Sequence, residues 1–195
     1  ADAFGAEHAF FMVGGTTSAV QNMVLSVCKA GDEIIVPRNV HKSVINVMIL
    51  CGAIPVYINA EVNTRIGIML GITKEQVEEA ILAHPRAVAV LVNNPTYYGI
   101  CSDIKGICEL AHSYGLKVLA DEAHGTHLYF GNNLPISGIA AGADMAGGGV
   151  HAQVGRFAHT EFNSSHQQRN ECRLCENDYK SHADHERIVS SDGKP

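Results

Sequence analysis

What this chain lacks narrows its role first. Positive charge is not in excess, since 14 lysines and arginines stand against 20 aspartates and glutamates, a formal net charge of −6. The balance points away from nucleic acid and from an anionic membrane surface. No apolar run reaches the length of a membrane span, and no basic n-region followed by an apolar h-region opens the chain. The expected partner is a small molecule and the expected compartment is the cytoplasm. A disulfide framework is missing as well. Six cysteines (Cys28, Cys51, Cys101, Cys108, Cys172 and Cys175) are spread without a pattern, and the first four sit in apolar or helical contexts where a reduced core thiol is expected. There is no initiator methionine, and Ala1 reads as the start of a chain whose N-terminal part is missing.

What is present is an alternation of strands and helices in a chain of 195 residues, enough for one domain with a sizeable core. Ala9–Val13 reads as a short apolar strand. Gly14-Gly15-Thr16-Thr17-Ser18 then opens a helix with Val20, Met23, Val24 and Val27 on one face. A glycine turn at a helix N-terminus presents free N–H groups, and the three hydroxyls suit a phosphate, although a plain Ser/Thr cap has the same form. Ile34–Val36 and Ile54–Ile58 are strands, with a helix from Val44 to Cys51 between them. Thr73-Lys74-Glu75-Gln76 has the form of a capping box for a helix reaching about Ala83. Val88–Asn93 is a buried strand, and Asp103–Tyr114 is a helix that Gly115 stops.

Lys117–Ala120 is an apolar strand that runs directly into Asp121-Glu122-Ala123-His124-Gly125-Thr126-His127. Two carboxylates and two histidines thus follow one strand's C-terminal end, where open α/β sheets hold ligands. Asp121, directly after an apolar run, is costly to bury unless a cation is supplied. His41 fits a satisfied helix-cap histidine at least as well as a functional one. The alternation predicts an α/β three-layer sandwich with a mostly parallel sheet, all its polar clusters on one rim.

Taken together, Gly14–Ser18, Arg38-Asn39-Val40-His41-Lys42-Ser43, Asn94-Pro95-Thr96-Tyr97-Tyr98-Gly99 and Asp121–His127 resemble the major domain of the ornithine/lysine/arginine decarboxylases. These are pyridoxal-phosphate enzymes of the aspartate-aminotransferase fold, and the likeness is greatest to the compact bacterial arginine or lysine type. The resemblance implies pyridoxal 5′-phosphate as cofactor, a basic amino acid as substrate, polyamine biosynthesis as the setting, and a homodimer. It implies roles too. Thr16, Thr17 and Ser18 would hold the cofactor phosphate, and His41 would stack on one face of the ring with Ala123 against the other. Asp121 would pair with the ring nitrogen, and His124 would lie near cofactor or substrate. An aminotransferase or a β-eliminating lyase of the same fold is the nearest enzymatic rival.

The chain departs from that pattern after Ala146. The family's Ser-x-His-Lys motif, whose lysine forms the Schiff base, is replaced by Gly147-Gly148-Gly149-Val150-His151-Ala152-Gln153-Val154, and the Schiff-base lysine is absent. From Gly147 onward apolar periodicity also fades, so residues 1–146 read as a partial cofactor-binding domain and 147–195 as an irregular tail. One slip of the coding frame accounts for both features. Read one base forward, an allowed set of codons for Gly148–Phe162 spells Ala-Val-Ser-Met-His-Lys-Ser. A fragment broken in this way is expected to be inactive. The rival reading gives the tail a job as a non-catalytic zinc-binding interaction module, with Cys172, Cys175, His182 and His185 as ligand types and His166 near them in sequence. For the chain as a whole no metal is expected.

Overall fold

The structure, a computed structural model, describes residues 1–131 and 133–149. The tail, with the proposed zinc ligands Cys172, Cys175, His166, His182 and His185 and the substituted motif at His151–Val154, lies outside the described residues. Ala1–Gly149 forms one compact unit.

Its centre is a parallel sheet of β1 (Glu33–Pro37), β2 (Ile54–Ile58), β5 (Ala87–Asn93), β6 (Lys117–Glu122) and β7 (Met145–Gly148), in the order β2-β1-β5-β6-β7. The short strands β3 (Val62–Asn63) and β4 (Ile68–Met69) form a separate antiparallel pair. Helices cover both faces, because period-2 burial sends alternate strand residues to opposite sides. Ile34, Val36, Leu91 and Leu119 pack against α1 (Gly15–Val27) and α2 (Lys42–Cys51) through Val20, Val24, Val44 and Val47. Ile35, Val90, Val92, Val118 and Ala120 pack against α3 (Lys74–Ala83) and α4 (Ile104–Ser113) through Val77, Ile81, Ile104 and Ile107. This is the expected three-layer α/β sandwich.

Local chemistry explains where the helices begin and end. Thr73 and Gln76 complete the capping box of α3 in both directions, and Asp103 caps α4 by accepting the N–H of Gly106 at 3.1 Å. Gly52 ends α2 in the left-handed region at φ 73°, where an L side chain is strained. One expectation fails. Ala9–Val13 is not a strand but exposed, irregular chain, with Phe10 79% and Val13 98% exposed. An apolar run becomes a strand only if a neighbour supplies hydrogen bonds, and among the described residues the sheet ends at β2 and β7.

At the N-terminal rim of the sheet, away from the polar clusters, Asp144 gathers the Nζ of Lys117 at 2.7 Å, Nε2 of His112 at 2.8 Å and the N–H of Val118 at 2.9 Å. Burial alone would raise this carboxyl. The bonds from Lys117, Val118 and His112 outweigh it and hold Asp144 below the usual carboxylate range. A depressed folded-state pKa contributes stability that is present above the unfolded value and lost as pH falls through the folded one. Asp144→Asn is therefore expected to lower unfolding stability by about 1 kcal/mol at neutral pH. In urea titrations across pH, the gap to the parent chain closes below the ordinary aspartate range of about 4.

Candidate active site

The chain runs from β1 outward to β2, then back across to β5, so consecutive crossovers leave in opposite directions between β1 and β5. A crevice opens at the C-terminal ends of such a strand pair. The polar clusters lie around it. His41 follows β1 and caps α2, its Nδ1 accepting the N–H of Ser43 at 3.2 Å with the Ser43 hydroxyl at 2.9 Å. The helix-cap reading of His41 therefore holds. Asn93, at the end of β5, donates from Nδ2 to the Asn39 carbonyl at 3.1 Å and ties the two sides of the crevice together.

Asp121, on β6, leaves the sheet on the same face as Leu119, the face covered by α1 and α2. It is only 5% exposed. Its Oδ1 accepts the Ala123 N–H at 3.1 Å, and among the described residues no lysine, arginine or histidine nitrogen lies within 4.0 Å of its carboxylate. Burial pushes this carboxyl up, while the Ala123 N–H and the charges of His41 and His124 pull it partly back. His124 is exposed at the rim and meets the Tyr97 ring edge-on, centroids 5.4 Å apart.

The N-terminus of α1 arrives at this rim from the other side. Gly14 is the N-cap, and no side chain caps the helix. The Gly15 N–H bonds the Met12 carbonyl at 3.1 Å, and the N–H groups of Thr16 and Thr17 that follow have no side-chain cap and are open to an anion. Thr16 and Ser18 are half-buried and Thr17 is exposed. A Cβ on Gly149, where the chain leaves β7, would lie 3.1 Å from both the Thr16 hydroxyl and the Ala123 carbonyl. Thr16, Ala123 and the end of β7 therefore converge. Thr17 and Ser18 share the helical turn of Thr16, but no hydrogen bond or ion pair joins them to Asp121 or His41.

Two buried polar atoms nearby have no hydrogen-bond partner among the described residues, Nδ2 of Asn94 and Oγ1 of Thr126. No group of three or more histidine, cysteine, aspartate or glutamate side chains among the described residues could hold a metal ion. No helix among them is long and apolar enough to cross a membrane. The residues present do suit pyridoxal 5′-phosphate. An uncapped helix N-terminus fits its phosphate, and a desolvated carboxylate without an ion-pair partner fits a protonated ring nitrogen.

Sheet order and site together define a three-layer α/β domain of the aspartate-aminotransferase fold, and the solved structures agree. The chain is similar to an aspartate aminotransferase of Thermus thermophilus with a TM-score of 0.54 at 21% identity, over 68% of this chain and 34% of that one. It is similar to lysine decarboxylase A of Pseudomonas aeruginosa with a TM-score of 0.64 at 28% identity, over 77% of this chain and 22% of that one. Among curated proteins it is 50% identical to an arginine decarboxylase of Bacillus subtilis over 162 residues, 83% of this chain and 33% of the relative. The family described as Orn/Lys/Arg decarboxylase, major domain, matches residues 1–183. The chain belongs to that family. It spans about a third of the length of the arginine decarboxylases it matches.

Sequence reasoning missed the role of Glu122 and the two residues that bond to it, Tyr129 and Gly138. The available signal was a second carboxylate directly after Asp121, which alternation sends to the opposite face of the sheet.

Proposed function

We propose that this chain is the cofactor-holding part of a pyridoxal-phosphate-dependent decarboxylase that converts a basic amino acid, arginine, lysine or ornithine, into its amine and CO2. Asp121 carries the reading, as a buried carboxylate that faces the crevice without an ion-pair partner among the described residues. When bound, the cofactor supplies an electron sink for the pair left on the substrate α-carbon as CO2 departs. Asp121 keeps a proton on the ring nitrogen, because a carboxylate beside it favours the charged form. The open N–H groups of α1, with Thr16, Thr17 and Ser18, hold the phosphate. His41 covers one face of the ring, Ala123 is small enough to let the other face approach closely, and His124 stands at the substrate side. Such an enzyme makes polyamine precursors in the cytoplasm as a homodimer.

This chain has no lysine where the family carries its Ser-x-His-Lys motif. The amine that in this family holds the cofactor covalently and is exchanged for the substrate amine is then missing from that motif. We infer a one-base slip of the frame near Ala146–Gly147, and little turnover by the chain as it stands. The test is to load the full chain with pyridoxal 5′-phosphate, treat it with borohydride, and follow mass and CO2 release from arginine, lysine and ornithine. The expected result is saturable cofactor binding with no pyridoxyl group on any lysine and no CO2 above background. A reduced pyridoxyl-lysine together with turnover defeats the inactivity reading, and absence of saturable binding defeats the cofactor site itself.

A further inference from the structure

Asp121 and Glu122 are consecutive at the end of β6 and leave opposite faces of the sheet. Asp121 shares the face of Leu119, which α1 and α2 cover. Glu122 shares the face of Val118 and Ala120, which α4 covers, and so cannot touch a ligand held by Asp121. Yet it is 0% exposed. Its Oε2 accepts the hydroxyl of Tyr129 and its Oε1 accepts the N–H of Gly138 at 2.7 Å. Among the described residues no lysine, arginine or histidine nitrogen lies within 4.0 Å of it. Burial pushes the carboxyl up, the two donors pull it back, and the charge of Asp121 raises it again.

A buried carboxylate held by neutral donors is a costly way to fill space, and an apolar side chain of similar volume fills it at less cost. What the carboxylate adds is direction. Its two oxygens reach two points far apart in the chain from one residue beside Asp121. They tie the 3-10 turn Thr126–Phe130 and the segment around Gly138 to the end of β6. The Tyr129 ring is seated in turn by Phe4, edge-on with centroids 5.0 Å apart, and Phe4 meets Phe130 at 5.3 Å. Between these anchors the chain makes a tight turn, Gly125 N–H to Glu122 carbonyl at 2.8 Å, and that turn aims the Ala123 N–H at Asp121.

We propose that Glu122 is a positioning residue: with Tyr129, Gly138 and the Phe4 seat it locks the turn after β6, and so holds Ala123 and His124 in register with Asp121. The part of this that concerns the cofactor rests on the reading of the site given above. The lock itself is a property of the chain without ligand.

The test uses the full isotope-labelled chain, ligand-free, and follows by NMR the exchange of the Ala123 amide and the titration of the Asp121 carboxyl carbon. Glu122→Leu is the direct variant. Tyr129→Phe is the milder one, because it keeps the ring against Phe4 and the charge on Glu122 and removes one donor. Ile107→Val, a small change in the core under α4, controls for general loss of stability. In Tyr129→Phe the Ala123 amide is expected to exchange about tenfold faster, the effect of losing one hydrogen bond to a charged group. Asp121 then titrates higher as its N–H donor loosens, and Ile107→Val moves neither. Pyridoxal 5′-phosphate affinity of Tyr129→Phe, read by fluorescence, falls about tenfold in parallel. If Ala123 exchange and Asp121 titration are unchanged in Tyr129→Phe, or change equally in Ile107→Val, the positioning role is overturned. If both respond as expected but the parent chain does not bind the cofactor, the lock stands and the cofactor reading fails.

Discussion

Asp121→Asn is expected to weaken binding of pyridoxal 5′-phosphate by about 10- to 100-fold while making the ligand-free chain more stable. The loss follows from removing a charged partner of a protonated ring nitrogen, a bond worth about 1.5–3 kcal/mol. Equilibrium dialysis or fluorescence titration of the two proteins measures it. The gain has the opposite sign because, without ligand, the Asp121 carboxylate is buried with the Ala123 N–H as its one hydrogen-bond donor among the described residues. Burial raises its pKa. A carboxyl whose folded-state pKa lies above the unfolded value favours the protonated folded form, so its ionisation costs stability as pH rises through that range. An asparagine never ionises. The variant should therefore unfold at higher urea than the parent at neutral pH, with the difference vanishing once pH falls below the ordinary aspartate value of about 4. A variant that is less stable at pH 7 and binds the cofactor unchanged contradicts both halves of the argument. Gain in stability with loss of affinity is what a ligand site held ready at the expense of the fold should show.

Gly138→Ala is expected to cost about 2–4 kcal/mol, the usual scale of overpacking or worse. Replacing glycine by alanine at a compatible position normally stabilises a protein slightly, by restricting the unfolded chain. At Gly138 the added Cβ would sit 2.7 Å from the Ala120 Cβ and 3.3 Å from the Glu122 carboxyl carbon and Oε1. Neither neighbour can yield at little cost. Ala120 belongs to β6, with strands on both sides, and Glu122 is fixed by its two donors. Relief comes by moving the 138 segment away, which breaks the N–H bond to Glu122. Thermal or urea unfolding gives the magnitude, and the Ala123 amide gives the consequence at the site. A stabilised Gly138→Ala would mean that the packing behind Glu122 is looser than the distances state.

Much of the domain is written locally. The apolar runs of β1, β2, β5 and β6 are strands where their composition places them. Thr73, Asp103, Gly52 and Gly115 mark helix ends through hydrogen bonds that reach only a few residues. The C-terminal positions of His41, Asn94 and Asp121 on their strands follow from the same pattern. Elsewhere local pattern misleads. Ala9–Val13 has strand composition but pairs with no strand among the described residues, whereas β7 has a composition poor for any strand and becomes one because β6 offers its edge. Its glycines suit the place, since a Cβ on Gly147 would come 3.1 Å from the Met23 methyl of α1. The pair β3 and β4 escapes notice because two residues per strand carry no period.

The sequence alone determined which residues stand at strand ends and where the helices begin and stop, since neighbouring residues settle both. Tertiary structure decided which ends meet. The order β2-β1-β5-β6-β7 brings the loop after β1 beside the ends of β5 and β6, and the sheet faces send Asp121 to the crevice and Glu122 to the turn behind it. The physical reason is range. Hydrogen-bonded turns and caps act across a few residues, while parallel strand order is set by packing helices on both faces of a sheet, through contacts between residues far apart in the chain.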